Sequence, residues 1–284
     1  MFCQQTLFRR LYTLAGAAVL ALATGQVAAT DLNGVDGNSS IVVDPLGTLG
    51  LYSWQVDGTN QMYLEWFWYR LGGDTQESNL ADLGLDSEQA SGNQIVLNYG
   101  STAPIAAQLT YTLTGGAPGS GSSQLGEQLR ITNNTNAPVT LSLFEYTDFD
   151  LNDASNNDGA NDGVMYLGPD TILQFDNTPG YGYAKGWVTV QGPAPEAWQT
   201  GIVTYPSILD SLTDGAVTKL NNTAVSLTGP DDYEFAFEWK FTLDPSQSID
   251  INKTKYISTA VPEPTTLALL GLGLAGLGRC RRKI

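Results

Sequence analysis

QMYLEWFWYRL, residues Gln61 to Leu71, is aromatic or apolar on both of the faces that a two-residue repeat would create. A strand with water on one side alternates apolar and polar positions, so a run without alternation predicts a central strand covered on both sides or one flanking a groove. Further along, Ala106 to Thr114 does alternate, with Leu109, Tyr111 and Leu113 set against Gln108, Thr110 and Thr112. That pattern puts one face in a core and the other in water. Gln94 to Tyr99, Gln128 to Thr132, Val139 to Phe149, Val164 to Phe175, Tyr183 to Gln191, Ala224 to Leu227, Tyr233 to Leu243 and Ser248 to Ser258 read as further strands. The turn-forming stretches GGAPGSGSS (Gly115 to Ser123) and NNTNAP (Asn133 to Pro138) punctuate them. The expectation is an all-β chain, an antiparallel β-sandwich or jelly-roll-like domain. One region departs from this: Trp198, Ile202, Tyr205 and Leu209 recur at helical spacing, which predicts one or two short helices between Pro195 and Leu212.

The chain has 284 residues, 13 basic, 29 acidic, no histidine and 2 cysteines. Without histidine there is no Ser-His-Asp or Cys-His catalytic set, no His-ligated metal and no imidazole switch. A net charge of -16 argues against nucleic acid, whose phosphates need clustered Lys and Arg.

Both ends read as processing segments. Arg9 and Arg10 precede an apolar run from Leu11 to Leu22 and the small residues Val27-Ala28-Ala29, the order of a secretory signal peptide cleaved after Ala29. About a dozen apolar residues are too few to span ~30 Å of hydrocarbon. At the other end Pro262-Glu263-Pro264 is followed by a Gly/Leu-rich stretch from Thr265 to Gly278, then Arg279, Cys280, Arg281, Arg282 and Lys283. Positive charge after an apolar span holds a tail on the cytoplasmic side. The predicted organisation is a signal peptide (1–29), one ectodomain (30–260) and a single hydrophobic sorting helix with a basic end (261–284).

This tail resembles the PEP-CTERM sorting signal of Gram-negative bacteria, also called the ice-binding protein C-terminal domain, with all three parts present in order. The resemblance implies recognition at Pro262, Glu263 and Pro264 by an exosortase. That membrane protease would remove the tail and deliver the rest to the cell surface or exopolysaccharide matrix. The inner membrane would then be a partner only through the C-terminal segment before processing. Ice binding does not follow from the alternative name. QMYLEWFWYRLG and LFEYTDFDLND also resemble recurring blocks of such ectodomains, with no known activity attached.

Setting aside Arg9, Arg10, Arg279, Arg281, Arg282 and Lys283 leaves 7 basic residues against 29 acidic ones between Asp31 and Glu263, a charge of -22. Both cysteines lie in the ends, so no disulfide staples the exported part.

Three groups of residues are candidates for chemistry. After the Val139 to Phe149 strand, the acidic loop offers Asp148, Asp150, Asn152, Asp153 and Asp158 as oxygen ligands for calcium. Its opening imitates an EF-hand, but Asp153 stands where the glycine and Gly159 where the bidentate glutamate belong. The alternative is a polar hairpin loop. Second, Trp54, Trp66, Trp68 and Trp198 are candidate glycan contacts, since a pyranose stacks its apolar face on an aromatic ring; buried, the same residues are core. Third, Glu65, Glu145, Glu234 and Glu238 fall inside strands, where a glycosidase would need two carboxylates at a defined separation. No G-x-S-x-G, Walker or metalloprotease pattern accompanies them. The expectation is a non-enzymatic surface or matrix protein that binds extracellular polysaccharide. The alternatives are a divergent carbohydrate-active hydrolase or lyase and a self-assembling surface-layer component.

Overall fold

The computed structural model describes residues 30–46, 49–152, 162–177, 183–204, 206–225 and 232–259. Ala29, the motif Pro262, Glu263 and Pro264, and Asp153 and Asp158 of the acidic loop lie outside the described residues.

Two sheets stack as a β-sandwich. Numbered along the chain, the first runs β1 (Leu32–Asp36), β2 (Ser39–Asp44), β3 (Gly50–Val56), β5 (Leu64–Leu71), β11 (Val139–Asp148), β16 (Tyr233–Leu243), β15 (Ala197–Ile202). The two-residue strands β4 (Thr59–Asn60) and β6 (Ser78–Asn79) pair with β3 and β5. The second sheet runs β12 (Asp162–Gly168), β13 (Thr171–Asp176), β14 (Ala184–Gly192), β17 (Ser248–Thr259), β10 (Ser122–Asn133), β9 (Ile105–Gly115), β8 (Gln94–Tyr99), β7 (Leu85–Ser91). Paired strands are antiparallel except β3 with β5, which meet in parallel at Gly50, Leu51 and Glu65.

The stretch without alternation is a central strand. Leu64 to Tyr69 are all buried, as a strand covered on both faces requires. On one side Glu65 faces the second sheet, within reach of Tyr111. On the other, Trp66 donates its indole N–H to Asn79 at 2.8 Å and Trp68 packs edge-on against Tyr146. The 3-10 turn Leu80–Leu83, capped by Asn79, brings buried Leu80 and Leu83 over this side.

Three local expectations are corrected. Trp198 and Ile202 lie in β15, and among the described residues of this stretch the helix is Ile208–Thr213 (α1). Pairing of β15 with β16 supplies the tertiary partner that overrides the helical spacing. Val164 to Phe175 is two strands, reversed at Pro169 and Asp170, and Ala224 and Val225 stand in no strand.

Candidate functional site: the outer face of the eight-stranded sheet

Alternation sorts the side chains of the two middle strands of the second sheet. In β10, Leu125, Glu127 and Leu129 are buried while Gln124, Gly126, Gln128 and Arg130 are not; in β17, Ile251, Lys253, Lys255 and Ile257 are buried while Asp250, Asn252 and Tyr256 reach solvent. The buried set forms the inner face and the other set the outer face.

On the outer face a hollow of about 340 Å³ lies over Gly126, lined by Gln94, Thr110, Thr112, Gln128, Gln191, Asn252 and Thr254; Glu127 and Lys253 border it as well, with their side chains fully buried. Pairing aligns Gln94, Thr112, Gly126, Thr254 and Thr189 across five strands, so the glycine interrupts a row of hydroxyl-bearing side chains. A Cβ on Gly126 would meet nothing nearer than the Thr112 carbonyl oxygen at 3.7 Å, so its missing side chain leaves room without being forced by the backbone. Neighbouring side chains hold one another: Gln128 donates to Asn252 at 3.1 Å and Gln191 to Thr254 at 2.8 Å. An amide that gives one N–H to a neighbour keeps a second N–H and spare acceptor capacity. One two-residue step along β17 from Thr254, Tyr256 stacks on Trp187 of β14, ring centroids 4.9 Å apart at 14°. Every side chain directed into the hollow is uncharged, on a chain with 29 acidic residues.

Beneath this floor, Glu127 and Lys253 turn inward. There Lys253 Nζ lies 2.6 Å from Glu127 and 2.5 Å from Glu145, and Lys255 Nζ 2.5 Å and 2.6 Å from the same two carboxylates. Glu65 stands farther off, 3.6 Å from Lys255, and accepts a hydrogen bond from the Tyr111 hydroxyl at 2.8 Å. Lys253 also sits 4.3 Å from the Phe67 ring centre. The side chains of all five ionisable residues are fully buried. Three carboxylates against two ammonium groups leave one negative charge in excess, buried out of reach of bulk solvent. Burial first, then Glu127, pushes Glu65 up to about 8, so the surplus is neutralised by a proton on Glu65. Burial alone would raise Glu145, but Lys253 and Lys255 outweigh it and hold it below its usual value. Burial would likewise lower Lys255, yet the three carboxylates raise it. The oxygens of Glu65, Glu127 and Glu145 lie within 4.8 Å of one another, a spacing suited to a metal ion, and the two ammonium groups occupy the middle of it.

The residues singled out from the sequence are distributed elsewhere. Trp54, Trp66 and Trp68 are buried, and this corrects their selection as glycan contacts, because no ring face is open to a sugar. Trp54 instead bridges the sheets through its indole N–H to Ser123 at 2.9 Å. Half-buried Trp198 stacks on Tyr166 at 3.7 Å and 8°, closing one edge of the sandwich. Asp148 points inward and accepts from the Tyr146 hydroxyl at 3.2 Å; burial, then Asp232 and Glu234, push it well above the usual carboxylate range. Asp150 and Asn152 stand on the following turn, with the Asn152 amide donating to Asp176 at 2.5 Å. Of the strand glutamates, Glu65 and Glu145 meet in the core, whereas Glu234 accepts from Ile208 N–H at the start of α1 and Glu238 from Leu220 N–H. Tyr256 was not selected from the sequence. The signal for that face was the Gln108, Thr110, Thr112 alternation, which marks an exposed row of hydrogen-bonding side chains without marking a site.

Residues 260–283 match the family model of the PEP-CTERM protein-sorting motif, which implies export, exosortase processing and a membrane-anchored sorting signal before that processing. No curated protein matches the sequence. Among solved structures, the chain is similar to a candidate aldose 1-epimerase from Escherichia coli K12, with 10% identity, a TM-score of 0.49, and coverage of 81% of this chain and 99% of that one. It is also similar to a polysaccharide lyase (12%, TM-score 0.45, 81% of this chain) and a candidate kojibiose phosphorylase from the human microbiome (9%, TM-score 0.44, 89% of this chain). The chain spans about a third of the length of those two, 33% in each case.

Proposed function

We propose that this exported protein is a non-enzymatic glycan-binding module of the cell surface or exopolysaccharide matrix, and that the outer face of the eight-stranded sheet is its binding surface. The observation that carries the reading is the uncharged hollow over Gly126, walled by hydroxyl and amide side chains and flanked by the Trp187–Tyr256 pair. Sugars present hydroxyls that both donate and accept, together with an apolar ring face. Amides and hydroxyls match the first, and an aromatic platform the second. The non-enzymatic part rests on position: among the described residues, the convergent carboxylates Glu65, Glu127 and Glu145 are sealed between the sheets and already paired with ammonium groups, so none reaches a sugar in the hollow.

The test is retention of the purified protein on the producing organism's exopolysaccharide. Retention that Trp187→Ala abolishes supports the reading. Absence of retention, or release of reducing ends by the protein, overturns it.

A further inference from the structure

We propose that the occupant of this face is an extended, neutral oligosaccharide laid along the strands and held at two successive hollows, a statement that rests on the glycan-binding reading above.

A second hollow of about 380 Å³ opens on the same face, lined in part by Asp86, Asn98, Ser101, Gln108, Arg130 and Thr132. Register makes the two continuous. Across β8, β9, β10 and β17, the row Gln94, Thr112, Gly126, Thr254 is followed by Val96, Thr110, Gln128, Asn252 and then Asn98, Gln108, Arg130, Asp250. Thr132 and Ser248 come next, their hydroxyls 2.8 Å apart. Each row advances two residues, so Tyr256 at one end and Thr132 at the other are separated by about 27 Å along β10. That length exceeds a single sugar several times over.

The same hydrogen-bonded arrangement continues into the second hollow. Gln108 donates to Asn98 at 2.8 Å and Asn98 to Ser87 at 3.0 Å, so these amides are held in place before any ligand arrives. Fixed side chains lose less conformational freedom on binding. The charged groups along the path are occupied locally: Arg130 grips Asp250 through two hydrogen bonds of 2.7 and 2.8 Å, Asp86 accepts from the Ser101 hydroxyl and backbone N–H, and Lys185 Nζ lies 5.4 Å from the Trp187 ring centre. A guanidinium occupied in this way is a weak receptor for an acidic sugar, and residues 30–260, with 7 basic against 28 acidic side chains and so a charge of -21, repel one. Neutral chains are the class that fits both facts.

Calorimetric titration with ladders of neutral hexose oligosaccharides from one to eight sugars, and with oligogalacturonides as the acidic comparison, tests this. Affinity is expected to rise with length until the path is filled, with the acidic ladder weaker at equal length. Gln108→Ala, in the second hollow, is expected to cut the gain from lengthening the chain about threefold to tenfold. Gly126→Val, in the first hollow, weakens short and long ligands alike. Neutral ligands that bind without length dependence, or a preference for the acidic ladder, overturn the path while leaving glycan binding in place. Binding of none of the ladders overturns both.

Discussion

The inner and outer faces of β10 and β17 come from alternate residues of the same two strands, yet their chemistry is inverted. The inner face carries Glu127, Lys253 and Lys255 where a sandwich ordinarily places aliphatic side chains; the outer face carries Gln128, Asn252 and Thr254 on a strongly acidic chain. Exposed charges would let a surface bind ions without regard to shape, whereas neutral amides and hydroxyls bind by geometry. Enclosed charges, in turn, tolerate only the partner geometry that pairs them. The difference separates two tasks within one pair of strands: inward residues fix how the sheets meet, and outward residues are left to recognise a ligand.

Breaking the inner face is expected to have the largest effect. Lys255→Met leaves Glu127 and Glu145 sharing a single ammonium group, and urea unfolding should show a loss of about 3–5 kcal/mol. Replacing the whole cluster by apolar side chains of similar volume should cost far less than removing one member. A smaller loss from Lys255→Met than from the full replacement would mean that pairing is not what holds the sheets.

The pH response sharpens the same point. Glu65 is pushed above its ordinary 4.5 to about 8, so the stability tied to its proton is complete below about 4.5 and lost as pH rises through about 8. Glu234, raised by burial to about 7, acts in the same direction. Glu145 is held low, so its contribution is lost only on the acid side. The melting temperature should therefore fall between pH 5 and 9. Glu65→Gln, an uncharged mimic of the protonated acid, should remove the step near 8 and leave the one near 7. A melting temperature that climbs through this range would show Glu65 to be ionised.

The outer face should respond oppositely. Trp187→Ala and Asn252→Ala should leave unfolding free energy within about 1 kcal/mol of the parent while reducing glycan retention, more for the tryptophan. The smallest effect is expected from Gln128→Glu, which removes the amide donor to Asn252: no measurable change in stability, and a partial loss of binding that salt does not restore, because the ligand is neutral.

Much of this arrangement was legible in residues 61–71 and 106–114. Missing alternation placed β5 at the centre of a sheet, and strict alternation in β9 divided an inner from an outer face. The sorting segment was readable because its physics is local, a matter of apolar length and flanking charge. The choice of tryptophans was not readable. Trp54, Trp66 and Trp68 look identical in sequence to an exposed aromatic patch, and only the covering turn at Leu80–Leu83 and the opposed sheet bury them. The buried cluster escaped for a related reason. Glu65, Glu127, Glu145, Lys253 and Lys255 come from four strands up to 190 residues apart, and no spacing rule connects them. Gly126 gave no signal either, since a glycine that leaves room for a ligand resembles one that loosens a strand.

The measurement that bears most directly on the division of the two faces is glycan retention of Gly126→Val beside its unfolding curve. A Cβ at this position meets no atom closer than the Thr112 carbonyl oxygen at 3.7 Å, and the two methyl groups of a valine narrow the hollow at its floor. The account predicts an unfolding transition close to that of the parent and loss of retention on exopolysaccharide. Full retention with the valine in place would contradict it.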